Sequence, residues 1–187
     1  MIFERIVVIG KSGSGKTTLA TTLAKKLELS HIELDAISWQ ENWVQLPKDK
    51  MRKRVNEAIQ ANGLWVVDGN YSFVRDIVWT RADTVIWLDY PLRVALWRLI
   101  CRTISRLVRR TELWNGNRES VRHHLTFDPD ENLFLWAIRT HWQHRREYPM
   151  LLKQSEYSHL NVLRFRTPKE LEAFVCGIGN SEQMRGK

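Results

Sequence analysis

The chain has 187 residues, 43% of them hydrophobic, with 29 Lys plus Arg against 21 Asp plus Glu, a net charge of +8 and two cysteines. Length and apolar content suit one folded domain and exclude a disordered or fibrous chain, and Cys101 and Cys176 lack the spacing of a disulfide framework or zinc site. Residues 1–5 show no signal-peptide pattern and no apolar run approaches the roughly 20 residues that cross a bilayer, so a cytoplasmic protein without a membrane partner is expected, as a monomer or homodimer.

The first strand is read at 5–9, where the uninterrupted Ile-Val-Val-Ile suits burial on both faces. Directly after it, Gly10-Lys11-Ser12-Gly13-Ser14-Gly15-Lys16-Thr17 satisfies G-x-x-x-x-G-K-[ST] completely. Leu19, Ala20, Leu23, Ala24 and Leu27 then recur at helical spacing. A strand, a glycine-rich turn and a helix in that order make a phosphate site. The glycines admit a tight turn and close approach, successive N–H groups point inward, and the helix adds its positive end. Lys16 is expected on the β- and γ-phosphates of ATP and the Thr17 hydroxyl on Mg²⁺, with Thr18 supporting the helix start.

A second strand is read at 31–34, followed by Asp35 and an irregular stretch carrying Trp39 and Trp43. Pro47 opens a helix with an apolar face of Met51, Val55, Ala58 and Ile59, ended by Asn62-Gly63. A third strand at 64–67 leads to Asp68-Gly69-Asn70, and a fourth at 84–88 leads to Asp89. After Pro91 comes a long helix whose buried stripe is read as Leu92, Ala95, Leu96, Leu99, Ile100, Thr103, Ile104 and Leu107. Residues 111–127 lose this periodicity and are read as a lid insertion. Asp128-Pro129-Asp130-Glu131 caps a helix running to about residue 148, a fifth strand lies at 160–165, and Thr167-Pro168-Lys169-Glu170 caps the last helix. Residues 1–175 are thus read as one three-layer α/β domain and 176–187 as a flexible tail.

In a parallel sheet the carboxyl ends of the strands line the ligand crevice. Asp68 follows an apolar strand and is assigned to Mg²⁺. Asp35 is placed to position or deprotonate an acceptor hydroxyl, with Gly69 and Asn70 beside it. Trp39 and Trp43 either stack on a ring of the acceptor or wall its pocket, or else pack the core or the lid. Asp89 is the third and weakest of these site candidates; capping a turn is the competing role for all three aspartates and suits Asp89 best, and Arg52 and Arg54 suit either an acceptor anion or a solvated basic face. Among the arginines flanking the lid, Arg102, Arg106, Arg139 and Arg145 are the candidates for the charge that develops in phosphoryl transfer. His123-His124 and His141-x-x-His144 carry no convincing metal spacing.

Over about residues 4–175 the chain resembles the adenylate-kinase-like branch of P-loop kinases and, more narrowly, the group called DNA topology modulation proteins. The resemblance rests on residues 10–17, Leu34-Asp35 with Trp39 and Trp43, Val67-Asp68-Gly69-Asn70-Tyr71, Val85-Ile86-Trp87-Leu88-Asp89 and the arginine-rich helix after it. It implies a P-loop NTPase fold with five parallel strands in the order 2-3-1-4-5, ATP as donor, and a lid between strands four and five. Asp68-Gly69-Asn70-Tyr71-Ser72 stands where nucleoside monophosphate kinases carry Asp-Gly-Phe-Pro-Arg, and the glycine-rich turn of shikimate-kinase-like enzymes is absent there. The expected partner is a small-molecule phosphoryl acceptor of open identity. The alternative is a nucleotide-dependent nucleic-acid-binding or regulatory protein affecting DNA topology, suggested by the +8 charge and the arginine stripe.

Overall fold

A computed structural model describes residues 3–118 and 133–182, with side chains for 3–118 and 138–178. Its strands are β1 (Arg5–Gly10), β2 (Ser30–Glu33), β3 (Trp65–Asp68), β4 (Thr84–Leu88) and β5 (Asn161–Phe165). All neighbours pair in parallel, in the order β2-β3-β1-β4-β5. The helices are α1 (Lys16–Leu27), α2 (Leu34–Ser38), α3 (Lys48–Ala61), α4 (Arg75–Trp79), α5 (Leu92–Arg109), α6 (Leu133–Leu151) and α7 (Pro168–Glu182).

The twofold alternation of strand side chains divides the core in two. Val7, Ile9, Val67, Val85 and Trp87 pack with Met51 and Val55 of α3 and Tyr148 of α6. Ile6, Val8, Val66, Ile86 and Leu88 pack on the other face with Leu19 and Leu23 of α1 and Ile178 of α7. The central strands are apolar through their middles, at Ile6–Ile9, Trp65–Val67 and Val85–Leu88, because both their faces are covered by helices. One edge of the sheet therefore gathers the carboxyl ends of the strands, at Gly10, Glu33, Asp68 and Leu88.

Several expectations change. Asp35 does not end a strand: β2 stops at Glu33, and Asp35 lies in the first turn of α2. The short α4 was not anticipated, because five residues are too few to display a period. On α5, Ala95, Leu99 and Thr103 are buried as read, but Ile100 and Ile104 of the expected stripe are 38% and 56% exposed. The stripe is narrower because α5 covers the phosphate loop and α6 along one line only. The final helix continues to Glu182, so the tail expected from 176 begins inside it. Residues 119–127 of the expected lid, His123-His124 and the capping box at 128–131 lie outside the described residues.

Candidate active site

The loop at 10–17 connects β1 to α1 and folds upon the carbonyl of Lys11. That oxygen accepts from the Ser14 amide at 3.0 Å, from Ser14 Oγ at 2.7 Å and from Lys16 Nζ at 3.1 Å. Gly13, at φ +81°, presses against the backbone of α5, and a Cβ there would collide with the carbonyl of Ala95. The loop is thus wedged against the arginine-bearing helix. Gly15 forms the α1 N-cap in the left-handed conformation. Ser12 is half-buried beside it, and Thr18 is exposed on the first turn of α1.

Asn70, read as an acceptor residue, is instead engaged with the loop itself. Its Oδ1 accepts from the Gly10 amide at 3.3 Å and its Nδ2 donates to the Gly10 carbonyl. Gly69, at φ +140°, leaves only 2.7 Å between a built Cβ and Leu34 Cβ, so glycine is what lets β3 turn here against α2.

Thr17 and Asp68 meet as expected. Thr17 Oγ1 donates to Asp68 Oδ2 at 2.7 Å and lies 3.3 Å from Glu33 Oε1. Asp68 is 3% exposed, and its second oxygen lies 2.8 Å from His31 Nε2. That hydrogen bond raises the His31 pKa, and burial raises that of Glu33 against the lowering effect of a bond from Trp114. A hydroxyl and carboxylates within one contact distance are the hard oxygen donors Mg²⁺ takes, with its other positions left to water and phosphate. Among the described residues no group of three or more His, Cys, Asp or Glu could hold a metal ion. The signal for His31 and Glu33 was available: they alternate on β2, so one face of the strand carries both toward Asp68.

Asp35 receives the Tyr71 hydroxyl at 2.7 Å. Burial is the main cause of the raised pKa of that phenol, with the Asp35 charge second, so Tyr71 stays a donor. Burial lowers the Lys16 pKa, while Asp35 and then Asp68 oppose it and Arg102 adds to it. The loop lysine, two of the predicted aspartates and one predicted arginine therefore act on one another electrostatically. Beneath them lies a small pocket lined by Leu34, Gly69, Asn70, Tyr71, Arg75 and Tyr148, among other residues.

The other predicted residues are placed differently. Trp39 and Trp43 pack edge to face with centroids 5.5 Å apart, and Trp43 meets Trp114 likewise at 6.4 Å. Arg145, expected at the phosphates, binds Asp89: its Nε lies 2.7 Å from Oδ1, while Arg164 Nη2 lies 2.6 Å from Oδ2. Asp89 is thus a buried junction between α6 and β5. Arg106 is half-buried one turn after Arg102, and Arg139 is exposed on α6. Arg52 grips Asp76 with two bonds, of 2.8 and 2.7 Å, tying α3 to α4 rather than facing an acceptor.

A parallel sheet in this order, folded around a glycine-rich loop with a lysine, a threonine and a buried aspartate, is the P-loop kinase fold. Residues 6–131 match the family described as an AAA domain (AAA_33), and the chain belongs to that family. Among curated proteins, the uncharacterized protein YqaC of Bacillus subtilis (strain 168) is 27% identical over 104 residues, a match spanning 55% of this chain and 58% of that protein. Among solved structures, shikimate kinase from Acinetobacter baumannii in complex with shikimate has a TM-score of 0.55 at 16% identity, over 96% of this chain and 94% of that one. Shikimate kinase from Bacteroides thetaiotaomicron gives 0.53 at 17% identity, over 96% and 98%. A gluconokinase from Sinorhizobium meliloti 1021 gives 0.51 at 18% identity, over 99% and 98%. At these identities the likeness is one of fold.

Proposed function

We propose that this chain is a kinase that transfers the γ-phosphoryl group of ATP, with Mg²⁺, to a hydroxyl of a small metabolite or nucleotide. The observation that carries the reading is the 2.7 Å contact of Thr17 with Asp68 at the end of the phosphate loop, where Lys16 feels the charge of Asp35 as well as that of Asp68. A phosphate-binding cation and a candidate general base must be neighbours if a hydroxyl is to attack a bound γ-phosphate. The names of the fold relatives, a shikimate kinase and a gluconokinase, support a hydroxylated acceptor.

In this reading the loop amides and Lys16 hold the phosphate chain, and Thr17 and Asp68 hold Mg²⁺. The metal, when bound, draws charge from the phosphate oxygens. Asp35, oriented by Tyr71, takes the proton of the acceptor hydroxyl as its oxygen bonds to the γ-phosphorus and the bond to ADP breaks. Arg102 offsets charge on the transferring group, with Arg106 and Arg139 from the lid flanks. Trp39, Trp43 and Gly69 shape the acceptor side. Residues 1–175 act as one domain, and the kinship with the DNA topology modulation group belongs to the same proposal.

The test is a coupled ADP-release screen over nucleosides, nucleoside monophosphates and hydroxylated or carboxylated metabolites. One class of acceptor is expected to raise turnover, and Lys16→Ala to abolish it. Absence of stimulation across the panel by a folded protein that binds ATP would sink the reading.

A further inference from the structure

The kinase reading uses the loop's amides, Lys16 and Thr17, but not the side chain of Lys11. Lys11 is 5% exposed, and its Nζ is buried without a hydrogen-bond acceptor among the described residues. Burying an ammonium without a partner is unfavourable, so such a group calls for a ligand or a function. The carboxylate that acts on it is Asp89, already shared by Arg145 and Arg164 at 2.7 and 2.6 Å. Lys11 is therefore a third cation beside one carboxylate. Burial first, and the Arg145 charge second, lower its pKa to about 7.

The same region holds two more nitrogen groups from other elements. His144 of α6 has a buried Nδ1 without a hydrogen-bond partner among the described residues, and its ring stacks on Tyr148 at 4.8 Å and 14°. After burial, the charge of Lys11 is the largest influence on His144; Glu147 opposes it, and Lys16 and Arg75 act with it. Arg75 lies over Trp79 at 5.1 Å and lines the small pocket together with Tyr148 and Asn70. Thr17 meets Asp68 at the β3 end of the loop, whereas Lys11 is associated with Asp89 at the β4 end. On this second side Lys11 and His144 present buried nitrogens without hydrogen-bond partners among the described residues, Asp89 is already taken by two arginines, and Glu147 is the further carboxylate that acts on His144.

We propose that Lys11, His144 and Arg75 form an anion subsite beside the phosphate loop that receives a phosphate-like group. That group is either the γ-phosphoryl of the nucleotide or an anionic substituent on the acceptor. Lys11 reaches it by rotation of its four-carbon stem and gains there the counter-charge it lacks. The proposal rests on the loop being a phosphate site, and extends it to a side chain the loop motif leaves unspecified.

Calorimetric titrations of the full chain test this with three ligands: MgADP, the slowly hydrolysed MgATPγS, and inorganic phosphate added to the MgADP-loaded protein. Each is run on wild type, Lys11→Met and Arg75→Gln. MgADP affinity is expected to stay within about twofold throughout. Lys11→Met is expected to weaken one of the other two ligands by about tenfold or more, and Arg75→Gln by less. Loss confined to MgATPγS assigns the subsite to the γ-phosphoryl; loss confined to inorganic phosphate assigns it to the acceptor. Equal affinities in all three proteins overturn the proposal. Should wild type bind no MgADP, the nucleotide reading fails by itself, and inorganic phosphate alone then decides the subsite by binding that Lys11→Met loses, or by no binding at all. Thermal denaturation guards against a merely structural lysine: removing an unpaired buried amine should raise the midpoint. A lowered midpoint with uniformly weakened ligands overturns the proposal.

Discussion

The backbone amide of Trp43 donates to the side-chain carbonyl of Asn117 at 2.8 Å, across 74 residues of chain. The Asn117 amide in turn donates to the carbonyls of Gln40 at 2.7 Å and Trp114 at 2.8 Å, and the Trp43 indole donates to the Arg118 carbonyl at 3.1 Å. The segment after Asp35 and the segment after α5 are therefore clasped. Trp43 sits at φ +58°, a conformation a bulky residue rarely adopts and which costs on the order of 1–3 kcal/mol, so the clasp must hold it there.

Asn117→Ala removes three bonds from a side chain that is 4% exposed. A loss of about 1–3 kcal/mol is expected, because the Gln40 carbonyl and the Trp43 amide lose their partner together, while the Trp114 carbonyl keeps the backbone amide of residue 117 at 3.2 Å. Denaturant unfolding measures it, and a red-shifted tryptophan emission should report the opening of Trp39 and Trp43. An unchanged midpoint and spectrum would show that the ring contacts hold the clasp unaided.

Removal of Mg²⁺ should weaken nucleotide binding through Thr17 and Asp68. Thr17→Val and Asp68→Asn are each expected to reduce MgATP affinity roughly ten- to a hundredfold, the range typical of losing an outer-shell partner of a bound metal. In excess chelator the variants and the wild type should converge. Calorimetry with and without Mg²⁺ separates this from general damage, since a damaged loop would lose affinity in both conditions.

Asp89→Asn should act on stability rather than on nucleotide affinity. The carboxylate joins Arg145 of α6 to Arg164 of β5, and the Arg164 guanidinium also lies 4.2 Å from the Trp87 ring centroid. About 2 kcal/mol or more is expected to be lost, since two charge-assisted contacts end on one buried group. Chemical denaturation supplies the number, and an unchanged value would return Asp89 to the list of active-site candidates.

His144 should impose a pH dependence on folding. Burial, and next the charge of Lys11, lower its pKa from 6.5 to about 4. Between those values the unfolded chain binds more protons than the folded one, so stability falls as pH drops through this window. Below it the penalty is complete, and above it absent. The slope from this one group is at most about 1.4 kcal/mol per pH unit. His144→Phe keeps the stack on Tyr148 and should flatten the profile between pH 4 and 6.5; an unaltered slope there would assign the dependence to other groups.

Local signals carried much of this molecule. Residues 10–17 declare their strand–turn–helix context within a dozen positions, and Thr17 and Asp68 meet because the loop and the β3 end occupy adjacent strands. The reading weakened wherever a role depended on a distant partner. Asn70 looks like a substrate residue until Gly10 is found in its grasp, and Arg145 looks like a catalytic cation until Asp89 is found beneath it. Trp39 and Trp43 were visible as a pair, but Trp114, Asn115 and Asn117, which complete their surroundings, gave no periodic signal.

The sequence by itself determined the phosphate loop, the alternation of strands and helices, and the aspartate that answers Thr17. Glycine spacing and hydrophobic period are imposed by backbone geometry and the covering of each strand, both of which act within a few residues. Only the tertiary structure decided which cations are satisfied and which are not. Arg145 and Arg164 share one buried carboxylate while Lys11, next to the first glycine of the loop, has no hydrogen-bond partner among the described residues, because charge pairing depends on distances in space between elements far apart in the chain.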